Sequence, residues 1–230
     1  TGSKARLWLC RHGDKERPGE RARDWDLVLT PRGLGEVQAA AWRLAARLLA
    51  AGRAPPRRVV SSPYPRCVIT AGVYARVFGI ATLCIEPGLA EVLTLTKGAR
   101  GLAGCPPTWA PEELRLLLEA TGAGHVALDH DYVPAVPRED LRLAAGLADR
   151  SEVDARVARI AEQVVAGAFD GDLLVTHGSP AYRLVRALTA EQDFAEPAMG
   201  CVVELAVAPA RAAGAAPADG SARWGRVETV

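Results

Sequence analysis

No apolar stretch in this sequence approaches the roughly 20 residues that cross a bilayer. The longest are rich in Ala and interrupted by Arg, and no charged-then-apolar leader pattern opens the chain. A cytoplasmic protein without membrane contact is the expectation. An excess of charge is lacking as well: 28 Lys and Arg stand against 27 Asp and Glu, a formal +1. That gives no bulk attraction to nucleic acid, so any anion has to be caught by a local cluster. The five cysteines, Cys10, Cys67, Cys84, Cys105 and Cys201, are odd in number, widely spaced and without a C-x-x-C pair. They read as small buried hydrophobes of a reducing compartment. His12, His125, His130 and His177 do not have zinc spacing, so neither a metal nor another cofactor is expected.

What the chain does have is length and apolar mass: 230 residues, 49% hydrophobic, fit one large α/β domain over 1–230 better than two small ones. Its first ordered signal is a short buried-strand pattern, Leu7-Trp8-Leu9-Cys10, that stops at Arg11-His12-Gly13 and a charged run. Open α/β sheets bind ligands at the carboxyl ends of their strands, and a Gly there lets backbone come close. An Arg beside a His suits phosphate, the first as a forked fixed charge and the second as a nucleophile near neutral pH.

Thr30-Pro31 opens a helix, with Thr as N-cap and Leu34, Val37, Ala41, Leu44 and Leu48 on one face, ending near Gly52. Val59-Val60-Ser61-Ser62 reads as a strand, Cys67 to Phe78 as a helix closed by Gly79, and Ala81 to Ile85 as a third strand. Such alternation predicts a three-layer sandwich, a mostly parallel sheet with helices on both faces. From about 93 to 150 Gly and Pro break the pattern, with one helix from Pro111 to Ala120; this reads as an irregular insertion that covers the site and governs substrate choice. A helix runs from Ser151 to about Phe169, a strand from Asp172 to Thr176, and a further helix to Leu188. Cys201–Val207 and Arg223–Val230 close the chain as strands around a linker.

Two strands therefore end in His-Gly, at His12 and His177, and a third ends near Arg66. These features carry a resemblance: Arg11-His12-Gly13, Leu29-Thr30-Pro31-Arg32-Gly33 with Gln38-Ala39, Ser61-Ser62-Pro63 with Arg66 and Thr70-Ala71, Leu89-Ala90-Glu91, and His177-Gly178. Together they are similar, in order and spacing, to the histidine phosphatase superfamily with its phosphoglycerate-mutase-like fold. A narrower likeness, in Ser62–Val68, Ile85–Leu89, Trp109–Leu114 and Asp131–Pro134, is to phosphatase domains of the TULA/STS type, which act on phosphotyrosine proteins.

The resemblance implies a metal-independent phosphomonoesterase whose partner is a phosphorylated small molecule or phosphoprotein, with a homodimer left open. His12 is then the nucleophile, Arg11 and Arg66 grip the phosphate with Gly13 and Gly178 beside it, and His177 serves as a cationic donor. Glu91 is the general acid, with a pKa raised by its apolar surroundings. Arg57, Arg58 and Arg76 rival Arg66, and Glu86 rivals Glu91 but reads as a solvated residue before a Pro-Gly turn. Lys15 stands where the TULA-like pattern has Arg; it is a substrate-binding residue or an ordinary solvated lysine. Two other classes remain. A mutase would need Glu-Arg-x-Tyr-Gly and Arg-Arg-Ser segments that are absent here. A phosphatase-like binding module would be expected to have lost a histidine or the acid.

Overall fold

A computed structural model describes residues 5–17, 27–91, 110–137, 151–189, 195–207 and 227–229. The strands are β1 (Ala5–Arg11), β2 (Arg58–Ser61), β3 (Thr82–Ile85), β4 (Ala127–Leu128), β5 (Asp172–Thr176), β6 (Val202–Val207) and β7 (Val227–Thr229). The α-helices are α1 (Pro31–Ala50), α2 (Pro65–Phe78), α3 (Pro111–Ala120), α4 (Ser151–Val165) and α5 (Gly178–Leu188).

The seven strands form one sheet in the order β4-β3-β2-β5-β1-β6-β7. Pairings from β4 to β1 are parallel, and β6 and β7 are joined antiparallel. The chain steps from β1 through β2 and β3 to β4 in one direction and then returns to β5 in the middle. With right-handed crossovers, that reversal puts α1, α2 and α3 on one face and α4 on the other. Packing agrees: α2 contacts both α1 and α3, and α4 contacts α5. Strand β5 is buried at all five positions because both faces of the sheet are covered.

The local signals act as their chemistry dictates. Thr30 caps α1 by accepting from the Gly33 amide at 2.9 Å, and Gly79 ends α2 in the left-handed conformation with φ of 67°. Helix α4 ends at Val165, short of Phe169, since Gly167 takes φ of 82°; Phe169 is still buried, which is why the apolar stripe reads on past the helix. The described part of the 93–150 segment holds the expected helix and a short strand. Helix α3 packs on α2, and β4 adds an edge strand beside β3. Residues 93–109 and 138–150 of that segment lie outside the described residues, as do 18–26 of the loop after β1 and the linker 208–222. Among the described residues no helix is long and apolar enough to cross a membrane.

Candidate active site

Register alone brings the expected site residues together. Arg11 of β1 pairs with Thr176 of β5, and Ser61 of β2 pairs with Val175, so His12, His177 and Ser62 leave three neighbouring strands side by side. The ladder runs one residue further into the site: the His12 amide donates to Thr176 O at 3.0 Å and the Ser62 amide to Val175 O at 2.9 Å. Strand β3, next to β2, delivers the turn that ends at Glu91.

The loop after His12 is fixed by the Leu-Thr-Pro-Arg-Gly segment. Thr30 and Arg32 hold the Asp14 carboxylate at 3.1 and 3.0 Å. A β-carbon on Gly13 would stand 2.6 Å from Gly33 O, and one on Gly33 would overlap Asp14 O. Both glycines are required by that close approach of backbone. Gly13 also donates to Thr70 Oγ1 at 3.4 Å, which ties the loop to α2.

Two buried imidazoles share one arginine. The Nδ1 of His12 lies 2.7 Å from Gly13 O. A carbonyl only accepts, so the proton is on Nδ1 and Nε2 keeps its lone pair. Arg66, fully buried, donates Nε–H to that Nε2 at 3.3 Å and Nη2–H to His177 Nδ1 at 3.2 Å. A guanidinium only donates, so His177 carries its proton on Nε2 and gives it to Ser62 Oγ at 2.9 Å. The rings meet edge to face with centroids 5.2 Å apart. Tyr64 lies edge-on to His177 at 4.8 Å, and its ring lies beneath the Arg66 guanidinium, also at 4.8 Å.

Burial first, and then the positive charge of Arg66, hold the pKa of His12 well below its ordinary value. His177 is lowered in the same way, by burial and then by Arg66. The resemblance implies a cationic His177; burial and the Arg66 charge act against that form in the pocket, while Glu91 Oε2 stands 3.7 Å from the same Nδ1. Lys15, read as either a substrate contact or a solvated lysine, adds its charge to those acting on both histidines. Arg11 adds to the field at His12. Its guanidinium, however, is turned toward Glu196 at 2.9 Å and Pro197 O at 2.6 Å. A β-carbon on Gly178 would overlap that guanidinium and the Glu196 carboxylate, so this glycine leaves room for the pair.

Arg66 is distinguished from its rivals. Arg57 and Arg58 both bind the buried Asp172, at 2.9 and 2.6 Å, at the start of β5 and the far end of the sheet from the site. Arg76 is beside Gly122, at the end of α3. Glu91 Oε2 lies 3.7 Å from His177 Nδ1. Glu86, expected to be solvated, is fully buried. It accepts from the amides of Gly88 (2.8 Å), Ala135 (2.7 Å) and Val136 (3.2 Å) and from the Tyr132 hydroxyl (2.9 Å). With both oxygens so engaged, it is a strut between the β3 turn and residues 132–136. Glu86→Gln would face an amide NH₂ to these donors and should cost about 1–3 kcal/mol. In a chain of this size that is about 2–12 °C in Tm by thermal denaturation; an unchanged Tm would show that the strut carries no load.

Sequence motifs did not single out Ser62, Tyr64, Thr176, Arg156 or Glu196 for the site. Ser62 and Tyr64 lie within the Ser62–Val68 motif, which gave them no role; Thr176, Arg156 and Glu196 enter through contacts between distant segments.

Comparison with known proteins points the same way. The profile of the histidine phosphatase superfamily (branch 1) matches residues 7–94, from β1 through the turn that carries Glu91. Over that segment, less than half of its length, the chain is similar to that superfamily. No curated protein sequence matches it significantly. Among solved structures it is similar to the ecdysone phosphate phosphatase of Bombix mori in complex with tungstate, at 17% identity and a TM-score of 0.59, over 96% of this chain and 98% of that one. It also resembles a mycobacterial hydrolase at 18% identity and TM-score 0.55, over 97% and 89% of the two chains. A third is the mycobacterial glucosyl-3-phosphoglycerate phosphatase, at 19% identity and TM-score 0.50, over 87% and 89%. At these identities the likeness is one of fold, and it covers nearly the whole chain.

Proposed function

We propose that this chain is a histidine-phosphatase-superfamily phosphomonoesterase that needs no metal ion and works through a phosphohistidine on His12, acting on phosphotyrosine protein or on small phosphoesters. One observation carries the reading. Two neutral imidazoles sit in a cationic pocket with Arg66 between them, and the one on His12 presents an Nε2 lone pair. The His12 Nε2 attacks phosphorus opposite the ester oxygen; the P–N bond forms as the P–O bond breaks, and Glu91 gives its proton to the departing oxygen. Water then attacks the phosphohistidine, its proton returns to Glu91, the P–N bond breaks and inorganic phosphate leaves. Arg66 neutralises charge on the equatorial oxygens, with Lys15 at the rim and Arg11 once phosphate replaces Glu196 upon it. Helix α5 starts at Gly178, so its N-terminal amides add partial positive charge. A phosphate dianion beside His177 Nδ1 raises the proton affinity that burial and Arg66 lower, which makes His177 a cationic donor only with substrate bound.

The substrate class draws on the TULA/STS-like segments for phosphotyrosine. For small esters it draws on the two similar phosphatases named for ecdysone phosphate and glucosyl-3-phosphoglycerate. The purified chain should hydrolyse p-nitrophenyl phosphate at the same rate with and without EDTA, and a panel of phosphotyrosine peptides and small esters under that condition ranks the substrates. Activity abolished by EDTA and restored by a divalent ion would overturn the reading.

A further inference from the structure

The turn that ends in Glu91 is held by side chains at four consecutive carbonyls. Arg156 Nη1 donates to Gly88 O at 3.2 Å and to Ala90 O at 3.0 Å, and its Nη2 donates to Glu91 O at 3.1 Å. Thr176 Oγ1, one residue before His177, donates to Leu89 O at 2.6 Å. Arg156 is itself buried on α4, 4% exposed. The same helix closes on the turn with Ile160: a β-carbon on Gly88 would stand 2.8 Å from its Cδ1, and 2.7 Å from Val136 Cγ2 on the other side. Backbone from Gly88 to Glu91 is thus clamped between α4, the 132–136 segment and the end of β5, and a single guanidinium makes three of the four carbonyl contacts.

We propose that Arg156 is a positioning residue for proton transfer, fixing through the Gly88, Ala90 and Glu91 carbonyls where the Glu91 carboxyl stands relative to His177 and the departing oxygen. This rests on the reading of Glu91 as the general acid. The planar fork is what the task requires: two nitrogens reach three carbonyls along the turn, whereas an ammonium keeps the charge at one point and cannot span them. Arg156 touches no reacting atom; its charge also bears on His177, but Arg156→Lys keeps that charge and changes the geometry, and small misplacements of a catalytic group are expensive.

The test compares Arg156→Lys with wild type on an alkyl phosphate, which needs the proton, and on p-nitrophenyl phosphate, which needs it little. We expect kcat/KM to fall about 10–100-fold for the alkyl ester and less than about 3-fold for the aryl ester, because only the proton-requiring step depends on where Glu91 stands. In a Glu91→Gln background the same substitution should cost the alkyl ester nothing further, since the group being positioned no longer delivers a proton. Arg156→Gln, which keeps donors but not the fork, should give the same pattern. Equal losses on both esters, full additivity with Glu91→Gln, or loss of the folded state in both variants would overturn the proposal. If Glu91→Gln alone fails to separate the two esters, it is the assignment of the acid that falls.

Discussion

Replacing His12 by Ala should lower kcat/KM for every phosphomonoester by on the order of 10⁴–10⁶-fold, since it removes the attacking atom. The attacking atom is in the required state: Nε2 of His12 is unprotonated because Nδ1 is committed to Gly13 O, and Arg66 lies against it at 3.3 Å. The sign of the pH dependence is set by the same geometry. The reactive form is neutral, and burial together with Arg66 lowers the pKa of His12 well below 6.5. The acid limb of kcat/KM, corrected for the ionisation of the ester, should therefore lie below 6.5 and not at it. Folding stability shifts the same way. His12 and His177 are both depressed relative to an unfolded value near 6.5, so their contribution is complete above that pH and is lost as pH falls through the folded values. Steady-state kinetics across pH on wild type, with circular dichroism to show that His12→Ala is folded, checks both. A folded variant retaining a tenth of wild-type activity, or an acid limb at or above 6.5, would contradict the assignment.

Glu91→Gln should separate substrates by leaving group. A poor leaving alcohol needs a proton as its P–O bond breaks, while p-nitrophenolate departs without one. Positioned acid catalysis is worth about 10²–10⁴-fold, so an alkyl phosphate should lose that much in kcat/KM and p-nitrophenyl phosphate far less. Gln keeps the size of the side chain and removes the transferable proton. Glu86→Gln is the control. Its carboxylate is occupied by four donors, so its loss should appear in Tm and leave the ratio between the esters unchanged. Equal losses for both esters at Glu91, or a selective loss at Glu86, would remove Glu91 from the role.

Legibility in the sequence was a matter of range. His12 and His177 could be read because each comes directly after an apolar run, and parallel strands gather the residues at their carboxyl ends along one edge of the sheet. Helices α1 and α2 could be read because Thr30-Pro31 and Gly79 are local start and stop signals. Arg66 could be named but not separated from Arg57 and Arg58 until Asp172, more than a hundred residues away, was seen to claim both. Glu86 was misread for the same reason. A Pro-Gly turn beside it suggests solvent, and the chain that buries it arrives 46 to 50 residues later. The charge state of His177 also required the assembled pocket, because burial and Arg66 are properties of the fold and not of the His-Gly pair. Glu196 on Arg11 and Arg156 on the Glu91 turn have no periodic or motif signature at all.

Phosphoryl transfer through His12 is tested most directly by trapping the intermediate. Wild-type protein mixed with p-nitrophenyl phosphate, quenched in the steady state and digested at alkaline pH, should yield the peptide carrying His12 with one added phosphoryl group that is stable to base and lost in acid. The same peptide should be unmodified in His12→Ala. A phosphoryl group on any other residue of the wild-type protein, or turnover with no modified peptide in a quench fast enough to catch it, would contradict the account.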